Sequence, residues 1–157
     1  MRWPRPITEG KSSLFKFKDI FVKRIEKEEW KLLSREAHVT VFKEDWEPEK
    51  ERIDYALITT DADNQLIQYS TIRELDGDTG YLQYGGSFPN SRCSVTAYRS
   101  FQAILRWLQA EYRYVSFLTE NTNFPMLKFA IKEGFVIVGM RVFKNHIMLE
   151  HFRDRGE

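Results

Sequence analysis

Phe88-Pro89-Asn90-Ser91-Arg92-Cys93-Ser94-Val95-Thr96-Ala97 joins an apolar stretch, Tyr81 to Phe88, to a segment in which Tyr98, Phe101, Leu105, Leu108 and Tyr112 recur at helical spacing with Ile104 alongside. The spacing predicts an amphipathic helix over Val95 to Tyr112. Tyr81 to Phe88 reads as the strand before it and Tyr114 to Leu118 as a short apolar strand after it. Strands joined through a helix are expected to lie parallel. In such a sheet a ligand sits beyond the carboxyl ends of the strands, where a helix N-terminus offers unpaired N–H groups and the positive end of its dipole. Phe88 to Ala97 is that place, and a pyrophosphate suits it. An ordinary loop capped by Ser91 or Ser94 is the alternative reading.

Upstream, Phe15, Phe17, Phe21 and Ile25 alternate with polar residues and predict one strand over Phe15 to Ile25. Trp30, Leu33, Ala37 and Val41 follow at helical spacing, for one or two helices. Turn chemistry at Asp61-Ala62-Asp63-Asn64 and Asp76-Gly77-Asp78-Thr79-Gly80 divides Ile53 to Thr60, Gln65 to Leu75 and Tyr81 to Phe88 into an antiparallel meander. Downstream, Asn121-Thr122-Asn123 supplies N-cap candidates for a helix through Lys132 that Gly134 ends. Phe135 to Phe143 and Ile147 to Phe152 close the chain as two strands around Lys144-Asn145. The expected order is β, α, βββ, α, β, α, ββ: a mixed α/β sheet, mostly antiparallel, in one domain over residues 14–157. Pro4, Pro6, Gly10, Ser12 and Ser13 make residues 1–13 an expected flexible arm.

The chain's 157 residues fit one domain, and 24 Lys and Arg against 23 Asp and Glu give a net charge of +1, which favours neither nucleic acid nor a membrane surface. The single cysteine, Cys93, excludes an internal disulfide. The first twenty residues hold no apolar run of signal-peptide length and no segment has spanning length, so the expected location is the cytoplasm. His38, His146 and His151 lack zinc-ligand spacing, and neither Asp-rich turn has the full calcium-loop pattern, so no metal is assigned. Cys93 at a helix start invites a nucleophile reading, which is set aside because no histidine is near it in sequence.

Asn123-Phe124-Pro125-Met126 through Gly134-Phe135, taken with the Pro89-to-Ala97 loop and the element order, resembles the GNAT superfamily of acyl-CoA-dependent N-acetyltransferases. In that family the late helix opens on Asn-x-x-[Ala/Met] and ends in Gly-Phe, spacing that Asn123, Met126, Gly134 and Phe135 share. The family's loop of Pro-x-x-Arg followed by [Arg/Gln]-x-x-Gly-x-[Gly/Ala] has Pro89, Arg92 and Ala97 in matching places, with Val95 where glycine is usual. The resemblance covers roughly Phe15 to Phe152. It implies a sheet whose parallel strands splay to form an acyl-CoA cleft, with acetyl-CoA as co-substrate. It also implies cofactor contacts from Ser87, Phe88, Arg92, Cys93, Ser94, Val95, Thr96, Ala97 and Asn123.

Acetyl transfer to an amine asks three things of these residues. The thioester carbonyl needs a polarising backbone N–H, which the resemblance places in the region Ser87 to Phe88. The amine must attack neutral: at pH 7 this costs roughly 4.6 kcal/mol for a lysine-like pKa of about 10.4, but about 1 kcal/mol for an α-amine near 7.8. A base is therefore sought, with Glu120 the first candidate and Glu74 the second; a solvated carboxylate is the alternative for each. The departing thiolate takes a proton, in the family often from a Tyr whose place here is Ala130, so Tyr84, Tyr69 or water is expected instead. Trp46 follows the region where the family builds an acceptor-side lid. The reading that results is an N-acetyltransferase acting on a primary amine of a small molecule or protein, with a homodimer left open. A catalytically inactive GNAT-like module that binds a protein partner is the alternative.

Overall fold

The computed structural model describes residues 14–91 and 94–156. Along the chain run β1 (Leu14–Phe17), β2 (Ile20–Glu26), α1 (Lys27–Phe42), β3 (Tyr55–Thr60), β4 (Leu66–Leu75), β5 (Thr79–Ser87), α2 (Val95–Glu111), β6 (Tyr114–Glu120), α3 (Phe124–Lys132), β7 (Val136–Phe143) and β8 (His146–Asp154). The strands form one sheet in the order β1-β2-β3-β4-β5-β6-β8-β7. All neighbours are antiparallel except β5 and β6. The expected mixed, mostly antiparallel sheet is therefore present. One correction concerns its first element: Phe15 to Ile25 is not a single strand but a hairpin, turned at Lys18 with φ +53°. Residues 1–13, the expected arm, lie outside the described residues.

Period-two alternation gives the sheet two apolar faces. Val22, Leu57, Ile72, Leu82, Val115 and Phe117 pack with α2 and α3. Ile25, Ala56, Ile58 and Tyr69 pack with α1 residues Trp30, Ala37 and Val41. Buried polar contacts fix α2 on its face: the Thr59 and Ser100 hydroxyls lie 2.6 Å apart, and Ser100 Oγ donates to Gln68 Oε1 at 2.8 Å. Helix α3 stops as its sequence implies. Gly134 takes φ +86°, its N–H donates to Ile131 O, and the Phe135 N–H reaches back to Ala130 O, which satisfies the last carbonyls of the helix.

Gly86 lies where α1 crosses β5, and a Cβ there would fall inside Val41 Cγ1. A β-branched neighbour has little rotamer freedom to yield. Gly86→Ala is expected to destabilise by about 1–3 kcal/mol in urea unfolding, the usual range for overpacking; unchanged stability would show that α1 moves freely over β5.

His151 is fully buried, stacked on Phe117 at 4.8 Å, and neither ring nitrogen has a hydrogen-bond partner. Burial holds its pKa below the ordinary value of 6.5. Below that ordinary value the unfolded chain takes up a proton that the native imidazole refuses, so stability falls with pH until the depressed native pKa is reached. The urea midpoint should be lower at about pH 5.5 than at about pH 7.5, and His151→Phe should narrow the gap. An equal gap in both proteins would acquit His151.

Candidate functional site

Strands β5 and β6 pair only at Thr79–Tyr114, Gly80–Val115, Tyr81–Ser116 and Leu82–Phe117, although β5 continues to Ser87 and β6 to Glu120. They part just where β5 carries a bulge. Its register with β4 passes from Ile72–Leu82 to Thr71–Tyr84 and leaves Gln83 unmatched, and an extra residue of this kind bends and twists its strand. Past the bulge, the Tyr84 N–H donates to Thr71 Oγ1 at 3.2 Å and the Phe88 N–H to Ile67 O at 2.9 Å, both toward β4. Backbone alternation turns the intervening Gly85 and Ser87 amides toward the β6 side. Of the two amides expected to polarise a carbonyl, Phe88's is engaged inside the sheet, while alternation sets Ser87's on the β6 side of the strand, together with that of Gly85.

At the mouth of this opening α2 begins. Ser94 is its N-cap: Oγ accepts from the Ala97 N–H at 3.0 Å, and the hydroxyl donates to Ser91 O at 2.5 Å. The Tyr98 N–H goes to Ser94 O, which leaves the Val95 and Thr96 amides at the helix mouth with the positive dipole end. Val95, in the family's glycine place, turns its side chain outward at 66% exposure. Beside the helix start lies a groove of about 790 Å³ whose lining includes Lys23, Thr40, Ile58, Phe88, Ser94 and Thr96. That volume is within the range of small-molecule sites. Lys23 is buried, and desolvation lowers its pKa against the opposing pull of Glu29. Arg92 and Cys93 lie outside the described residues.

The candidate bases are at opposite ends of the sheet. Glu120 ends β6 at the open end, on the face away from core residues Val115 and Phe117, and its Oε1 is 2.7 Å from His146 Nδ1. Glu74 pairs with Gly80, at the closed end, and accepts from the Tyr112 hydroxyl at 2.6 Å; Tyr112 in turn lies 2.6 Å from the Tyr55 hydroxyl. The structure does not bring Glu74 to the opening. Tyr84 follows the last parallel pair by two residues and is 38% exposed. Asn123 caps α3, its Oδ1 accepting from the Met126 N–H at 3.4 Å. Ala130 is buried.

No family model matches the sequence, and no curated protein matches it. Solved structures match its fold. A spermidine N-acetyltransferase from Vibrio cholerae in dodecameric form superposes with a TM-score of 0.68 at 11% identity, over 88% of this chain and 95% of that one. A GNAT family acetyltransferase from Elizabethkingia anophelis with acetyl-CoA bound superposes with a TM-score of 0.54 at 13% identity, over 64% of this chain and 75% of that one. The chain has the GNAT fold.

On the α1 side of this GNAT sheet sits a cluster that the sequence did not single out as a group. The His38 ring stacks on Trp46 at 4.1 Å, Trp46 meets Tyr84 edge-on at 5.3 Å, and the Tyr69 hydroxyl lies 3.3 Å from His38 Nδ1. Desolvation lowers the His38 pKa despite Glu44 nearby. Glu51 is buried at its base and accepts from Trp30 Nε1 at 3.2 Å. The sequence singles out Tyr69 and Tyr84 separately, as candidate proton donors, and Trp46 for its position after α1. Glu51 escaped notice because Glu47 to Arg52 is a run of mostly charged residues that reads as a solvated turn.

The cap of α2 can be tested directly. Ser94→Ala should lower stability by about 1 kcal/mol in urea unfolding, the usual loss for an N-cap; no loss would mean that another group takes over the Ala97 amide.

Proposed function

We propose that the protein transfers an acetyl group from acetyl-CoA to a primary amine. The observation that carries this reading is the parting of β5 from β6 past Leu82–Phe117, beside the N-terminus of α2. The relatives in fold support it, since one named above is a spermidine N-acetyltransferase and the other a GNAT family acetyltransferase with acetyl-CoA bound.

In this reading the Val95 and Thr96 amides, with the Arg92-to-Ala97 segment, hold the diphosphate of CoA at the positive helix end. Asn123 helps position the cofactor arm. The Gly85 and Ser87 amides polarise the thioester carbonyl. The amine nitrogen forms a bond to the carbonyl carbon, the carbon–sulfur bond breaks, and the nitrogen's surplus proton passes to Glu120, directly or through one water. His146 orients the Glu120 carboxylate. The leaving thiolate takes its proton from Tyr84 or water, which is feasible because a thiol pKa is only about 8.5. The acceptor is an amine of a small molecule or a protein. A homodimer is favoured by edge strand β7, where Val136, Ile137, Val138, Met140 and Val142 are exposed on both faces.

Calorimetric titration with acetyl-CoA should show saturable binding, and an amine panel should release free thiol; absence of binding at about millimolar cofactor, an affinity of roughly 4 kcal/mol or less, would overturn the assignment. Glu120→Gln should lower turnover by about 100-fold or more near neutral pH, with the deficit easing at high pH, where the amine loses its proton unaided. Equal turnover at every pH would remove Glu120 from the proton path.

A further inference from the structure

The cluster on the α1 side has the composition of a cation site. Trp30, His38, Trp46, Tyr69 and Tyr84 enclose Glu51 and leave no water-sized void. Glu51 is 6% exposed, its Oε2 has no hydrogen-bond partner, and no cation among the described residues forms an ion pair with it. Ser34 and Trp46 act on the carboxylate as hydrogen-bond donors and Lys31 as a more distant positive charge, but burial outweighs all three. A buried carboxylate left this way is unfavourable unless it is protonated or neutralised by a positive charge. Burial does raise its pKa. Aromatic faces around the carboxylate attract a weakly hydrated cation in particular.

The placement indicates what such a cation belongs to. Tyr84 lies just past the last β5–β6 pair, so the cluster borders the strand opening. Trp46 rests on His38 from the segment that follows α1, whose helix ends at Lys43 in a left-handed turn with φ +60°. We propose that the cluster is a seat for an alkylammonium group, entered when Trp46 leaves the His38 ring, with Glu51 as the counter-charge. The seat holds a second, non-reacting cation of the acceptor, because the attacking nitrogen must be neutral whereas this site stabilises charge. That last assignment rests on the acetyltransferase reading; the seat itself does not.

The test uses the full chain without acetyl-CoA, titrated with tetramethylammonium chloride and followed by ligand-observed NMR, with sodium chloride as the ionic-strength control. Saturable binding is expected, weakened about tenfold or more by Glu51→Gln and by Trp46→Leu. No saturable response in the wild type, or wild-type affinity in either folded variant, would overturn the seat; should Glu51→Gln fail to fold, Trp46→Leu decides. Acetyl-CoA calorimetry on the same preparation separates the two claims. Cation binding without acetyl-CoA binding retains the seat and defeats the transferase reading, and the reverse result defeats the seat alone. With acetyl-CoA present, a diamine should exceed a monoamine of equal length by about tenfold in kcat/KM, mostly through KM, and Glu51→Gln should abolish the preference. Equal kcat/KM for the two amines would overturn the assignment to a second acceptor cation.

Discussion

The hydrogen bonding between β5 and β6 ends at Leu82–Phe117, and the rest of the candidate site follows from that limit. A parallel pair that continued to Ser87 would engage the amides of both strands. Ending it early turns Gly85 and Ser87 toward a gap, and the bulge at Gln83 bends β5 away from its neighbour. Helix α2 starts from the far end of β5, so its positive dipole end arrives at the same gap. One local break in sheet pairing thereby brings together a passage, amide donors and an anion-favouring helix terminus.

The two faces of the sheet divide the remaining work. Beneath α2 and α3 the core is continuous, and Thr59, Ser100 and Gln68 bond to one another within it, which suits a rigid base for the parting strands. The opposite face carries α1, the aromatic cluster and the buried Glu51, whose Oε2 has no hydrogen-bond partner. Unpaired buried groups of this kind cost stability. In the proposed seat an alkylammonium group offsets that cost at Glu51.

Much of this was legible in the sequence because it is written locally. Periodicity gave α2 to within one residue, Asn123 and Gly134 marked both ends of α3, and the strand–helix–strand order predicted the parallel pair. Features that depend on distant partners were not legible. The turn at Lys18 has neither glycine nor asparagine at its positive-φ residue, so β1 and β2 read as one strand. Strict alternation cannot anticipate bulges such as those at Gln83 and between Thr59 and Thr60. Glu74 looked like a base from its place late in a strand, but an antiparallel strand's late end lies against the early end of the next, here the closed end of the sheet. Glu51 was hidden by its charged neighbours, since only the folded chain shows that this one carboxylate turns inward.

The central claim is that a CoA arm enters between β5 and β6 and anchors at the start of α2. Backbone amide NMR of the full chain during titration with CoA tests it most directly. The account predicts that the largest shift changes fall on Gly85, Ser87, Val95 and Thr96. Changes confined to other regions, such as the β7–β8 hairpin, with these four amides unmoved, would contradict it.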